Sequence, residues 1–129
     1  MNRNVNIISS RLSLRSPQRE SLEILADICD QVDFTKETDT AEALRIIKDS
    51  YPNVTDFERD FPSLCFALAT GVGKTRLMGA FIAYLNQAKG IKHFFVLAPN
   101  LTIYNKLIKD FQPNYEKYVL KGIDTFAQE

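Results

Sequence analysis

Six consecutive residues, Thr70-Gly71-Val72-Gly73-Lys74-Thr75, have the types and spacing to hold a triphosphate. Glycines two positions apart let the backbone enter conformations closed to other residues, so that successive N–H groups turn toward phosphate oxygens. A helix starting at Lys74 adds unpaired N–H groups and the positive end of its dipole. In that arrangement the Lys74 ammonium reaches the β- and γ-phosphates, and the Thr75 hydroxyl ligates the Mg²⁺ that bridges them. The expected phosphate-binding residues are therefore Thr70, Gly71, Val72, Gly73, Lys74, Thr75 and Arg76, with Lys74 and Thr75 the catalytic pair and Thr75 the metal ligand. The strict pattern G-x-x-x-x-G-K-[ST] has glycine where this chain has Leu68, a departure that narrows the class of site without removing it.

Such a loop needs a strand before it and a helix after it. The apolar run Leu64 to Leu68 reads as a buried strand, and Leu77, Met78 and Ala80 to Leu85 give a helix over 74–88 that is apolar almost all round and stops at Lys89-Gly90. Phe94 to Ala98 is a second fully apolar run, ended by Pro99. Strand, helix and strand without alternation predict an α/β fold, a parallel sheet with helices on both faces and a right-handed crossover. Asn100 caps a further helix through Phe111. Upstream, Ser16-Pro17 opens a helix that runs to about Val32, and Asp39 opens another, with Glu42 as its capping-box partner and Tyr51-Pro52-Asn53 as its end. Residues 1–14 read as an arm or short strand, and 113–129 as a tail with an amphipathic piece from Tyr115 to Leu120.

The 129 residues suffice for one ordinary domain with a core, and 45% hydrophobic with 25% charged residues is a globular composition. Net charge is zero, but unevenly laid out. Arg3, Arg11, Arg15 and Arg19 precede the first acidic residue, Glu20. No acidic residue lies between Asp60 and Asp110, where Lys74, Arg76, Lys89, Lys92, Lys106 and Lys109 fall. That pattern puts an anion-attracting face around the phosphate loop. Cys29 and Cys65 lie in apolar surroundings without ligand spacing, so both are expected to be free buried thiols in a reducing compartment. No signal-like or membrane-spanning run occurs, which predicts a cytoplasmic protein. His93 has no partner of catalytic type nearby in sequence and reads as structural.

Together with the phosphate loop, Arg15-Ser16-Pro17-Gln18 and Val96-Leu97-Ala98-Pro99-Asn100 make the chain resemble superfamily-two helicases, most closely the helicase (Res) subunit of type III restriction enzymes. A bulky residue at Leu68 followed by Ala-Thr-Gly-x-Gly-Lys-Thr is similar to that group, as are Leu97 to Leu107 and Lys117 to Ile123. The resemblance implies that residues 1–129 are the N-terminal portion of a RecA-like motor domain, holding a Q-like motif, the phosphate loop and the next family motif. It implies that Gln18, with Arg15, recognises adenine, because an amide offers both donor and acceptor to a base edge. By the same carry-over, Pro99 and Asn100 face a nucleic-acid backbone. The implied cofactors are ATP and Mg²⁺, and the implied partners are DNA and a modification (methyltransferase) subunit, with no membrane. The family's acidic Asp-Glu strand has no counterpart here, and the sheet's intervening strands are expected from sequence beyond Glu129. The chain by itself is thus expected to bind Mg·ATP without hydrolysing it. An alternative is a non-catalytic nucleotide-binding fragment or interaction module. A small-molecule kinase is disfavoured for want of an acceptor site and lid. Asn105-Lys106-Leu107-Ile108 is similar to a guanine-reading motif but lacks its aspartate.

Overall fold

The computed structural model describes residues 3–35, 37–59, 61–69, 71, 73–97 and 100–111. They form α1 (Arg3–Arg11), α2 (Ser16–Gln31), α3 (Thr40–Ser50), α4 (Lys74–Lys89) and α5 (Leu101–Asp110). No strand occurs among the described residues, so the expected parallel sheet is corrected to an all-helical arrangement. A strand exists through its ladder, and the described residues of the two apolar runs form no strand. Leu64, Phe66 and Leu68 are only half-buried, while Phe95 and Leu97 are 87% and 78% exposed. An unbroken apolar run of five residues signals a wish for burial but carries no information about a hydrogen-bonding neighbour. The part of the second run at Ala98, the tail from 113 and its Tyr115 to Leu120 piece lie outside the described residues.

The helices upstream of and around the loop follow the expected punctuation closely. Arg15 accepts the first intrahelical bond of α2 from Arg19 N–H (2.8 Å), and Pro17 sits in the first turn, where no N–H is required. Asp39 caps α3 by accepting from Ala41 N–H (3.0 Å) and Glu42 N–H (3.3 Å). Glu42 does not complete the capping box. Its carboxylate turns forward to accept from Arg45 Nε (3.2 Å). Gly90, left-handed at φ 69°, ends α4, and its N–H returns to the Asn86 carbonyl (3.0 Å). The N-terminal segment is the second correction. It is neither arm nor strand but α1, since Val5, Ile8 and Leu12 recur at helical spacing and are all buried.

The chain divides into two compact units, Met1–Glu23 with Leu68–Glu129, and Ile24–Ala67. In the first, α1 packs on α4, which buries Leu77, Gly79, Ala80, Ala83 and Tyr84. Small residues at 79, 80 and 83 let a neighbouring backbone approach closely. This unit carries twelve Lys and Arg against six Asp and Glu, a net of +6. The second unit has a core of its own, Ile28, Val32, Ala43, Ile47 and Phe57, packed by Ile24, Phe34, Leu44, Ile46, Tyr51, Val54 and Leu64. It carries four basic against ten acidic residues, a net of −6. Cys29 is buried as expected, whereas Cys65 is exposed because the run it belongs to is not a covered strand.

Two features of these cores are testable. Burial, and the donation of the Tyr51 hydroxyl to Asp27 Oδ2 (2.6 Å), push the Tyr51 phenol up to about 12. A raised pKa means that the unfolded chain loses its proton first. The stabilisation is therefore complete below about pH 10 and is lost as pH rises toward 12. Denaturant unfolding of Tyr51→Phe across that interval is expected to lack this part of the alkaline loss. Ser9 Oγ in α1 is buried without a hydrogen-bond partner among the described residues. Removing an unsatisfied hydroxyl relieves a desolvation cost of about 1–3 kcal/mol, so Ser9→Ala is expected to raise the thermal midpoint, and a lowered midpoint would show that the hydroxyl is satisfied in solution.

Candidate functional site

The glycine loop enters α4 through two left-handed residues, Gly71 at φ 87° and Gly73 at φ 82°. Gly73 occupies the N-cap position of α4 with no side chain to cap it, which leaves the first-turn N–H groups of the helix available. Lys74 is the first residue of α4 and is exposed. Thr75 follows, half-buried. Around Gly71 there is open space, since a Cβ built there would meet nothing within 4 Å. Thr70 and Val72 lie outside the described residues. What the structure brings together is thus an open, glycine-shaped entry to a helix N-terminus with an exposed cation at its mouth, an arrangement suited to a phosphate chain.

Behind this entry lies the segment from Leu12 to Gln18, joined to it by three side-chain hydrogen bonds. Gln18 is 2% exposed. Its Oε1 accepts from Arg15 N–H (2.8 Å), and its Nε2 donates to the Gly73 carbonyl (2.9 Å). The first bond is the backward half of a capping box, made by a residue three places into α2. Arg15 Nη1 donates to the Gly71 carbonyl at 3.4 Å, a long and exposed contact. Arg76 Nη1 donates to the Leu12 carbonyl (2.8 Å). Arg15, Gln18 and Arg76, expected at the nucleotide, each have a side-chain group engaged on the chain's own backbone. Sequence reading placed Gln18 in a binding role and missed this one. The available signal was Pro17 followed by Gln18, a glutamine at the third position of a helix.

Asn100 takes the N-cap position of α5, its Oδ1 accepting from Ile103 N–H (3.0 Å). Pro99 lies outside the described residues. His93 is exposed. Among the described residues no group of three or more His, Cys, Asp or Glu gathers as a metal site, and no helix is long and apolar enough to cross a membrane. An open apolar cleft of about 280 Å³ is lined by Met78, Phe81, Ile82 and Leu85 of α4 and by Phe94 to Leu97.

The two glycines separate backbone conformation from packing. Alanine at Gly71 meets only the left-handed penalty, about 1–2 kcal/mol. At Gly73 the added Cβ also falls 2.4 Å from Gln18 Nε2, a distance at which one of the two must move. Denaturant unfolding is expected to show a larger loss for Gly73→Ala than for Gly71→Ala, with the excess disappearing when Gln18→Ala is combined with each. Equal losses in both backgrounds would mean that the Gln18 amide does not sit over Gly73.

No curated protein and no solved structure matches the chain. The family described as type III restriction enzyme, res subunit, matches residues 11–129, a span that begins ahead of Gln18 and includes the loop, α4 and α5. Its members supply the helicase-type ATPase domain of restriction systems. On that match the chain belongs to the res subunit family of type III restriction enzymes.

Proposed function

We propose that this chain is the ATP-binding part of a DNA-dependent ATPase of a restriction system, a helicase or translocase. The observation that carries the reading is the pair of left-handed glycines opening α4, with Lys74 exposed at its first residue, inside a span matched by the res subunit family. Domains of that family generally bind ATP and Mg²⁺. The residues present fit the group: the space at Gly71 admits phosphate oxygens, the first-turn amides of α4 lack a side-chain cap, and Thr75 follows Lys74 directly. In this reading Lys74 neutralises charge on the β- and γ-phosphates, Thr75 holds Mg²⁺, and the loop amides orient the chain of phosphates. DNA and a modification subunit are the partners, as they are for res subunits. The first unit's net charge of +6 favours approach of a polyanion.

A second reading, an interaction module that binds nucleotide without catalysis, is favoured by the apolar cleft on α4, an exposed surface suited to a protein partner. Calorimetry with Mg·ATP separates the two from a chain that binds no nucleotide at all. Lys74→Ala is expected to weaken Mg·ATP binding by at least tenfold, since it deletes a fixed cation from the phosphates, with the thermal midpoint unchanged because Lys74 is exposed. Binding that survives Lys74→Ala intact would overturn the phosphate-loop assignment.

A further inference from the structure

The Gln18 amide does more than one residue's share of joining. It is 2% exposed, its acceptor holds the N–H of Arg15 at the start of α2, and its donor holds the carbonyl of Gly73 at the start of α4. The same Gly73 carbonyl accepts the first intrahelical bond of α4 from Leu77 N–H (3.1 Å). One oxygen therefore serves two donors, one inside the helix and one from 55 residues away. Arg76 reaches back to the Leu12 carbonyl and Arg15 forward to the Gly71 carbonyl, so that the loop is tied at both glycines and just past them. A phosphate loop binds through backbone amides, and their aim depends on where the adjoining carbonyls are held.

We propose that Gln18 is a positioning residue for triphosphate binding: it fixes the Gly73 peptide, and with it the amides at the start of α4, so that affinity for the phosphates themselves depends on it. This rests on the ATP-binding reading above, and it differs from base recognition in what the ligand must contain. A base reader affects only ligands with a base. A brace on the loop affects any ligand with the phosphates. Burial of the amide and its two engaged ends place it on the loop side of that distinction.

The test compares Mg·ATP with Mg·tripolyphosphate, which has no base, by calorimetry on the 129-residue chain and its Gln18→Ala and Gln18→Glu variants. Gln18→Glu keeps an acceptor for the Arg15 N–H, and so the cap of α2, while removing the donor to Gly73. It keeps the comparison possible if Gln18→Ala fails to fold. The expected result is a similar weakening of both ligands in both variants, by about tenfold, the scale of one hydrogen bond to the loop. Amide hydrogen exchange without ligand is expected to quicken in both variants at Leu77, whose N–H bonds the Gly73 carbonyl. Loss of ATP affinity with tripolyphosphate unaffected would overturn the proposal and return Gln18 to base reading, and so would unchanged exchange at Leu77. If the unmodified chain binds neither ligand, it is the ATP-binding reading that fails. The exchange measurement then still decides whether Gln18 braces the loop.

Discussion

The carbonyl of Gly73 is the point on which the site depends. It closes the first turn of α4 through Leu77 N–H and is held from outside by Gln18 Nε2. Both bonds require the residue to be glycine, for separate reasons: its φ of 82° disfavours any side chain, and the space a Cβ would fill is taken by the glutamine amide. With that peptide fixed, Lys74 leaves the helix mouth toward solvent and the loop ahead of it stays open at Gly71. Positive charge and open amides at one helix end follow from the position of one oxygen.

Much of the helical framework was legible in the sequence because helices announce their ends locally. Asp39, Asn100 and Gly90 cap where their side chains, or the lack of one, predict. The lack of strands among the described residues was not legible, because pairing is a relation between segments and the apolar runs at 64–68 and 94–98 specify only that they avoid water. α1 was missed because its apolar positions are few and its flanks polar, so the pattern of Val5, Ile8 and Leu12 is plain only once α4 is present to receive it. At the site, the residue types were legible and their partners were not. The bonds from Gln18, Arg15 and Arg76 cross 55, 56 and 64 residues, and no local rule reports such pairs.

Zero net charge conceals a separation. The unit that holds Gly71 and Gly73 is strongly basic, and the unit formed by Ile24–Ala67 is equally acidic. A basic unit attracts anions that a chain of evenly mixed charge would not. The reach of that attraction is set by ionic strength, falling off over about 8 Å at physiological salt.

The Ile24–Ala67 unit lies in sequence between the two ends of the Gln18 to Gly73 bond, and it has its own hydrophobic core. Ring-closure entropy rises only slowly with length, by about 0.6 kcal/mol for each doubling of a flexible connection. A connection that folds on itself is shorter still in effective length. The site is thereby insulated from insertions and deletions in that unit: its size is free to vary over evolutionary time, while the few residues at either border are not.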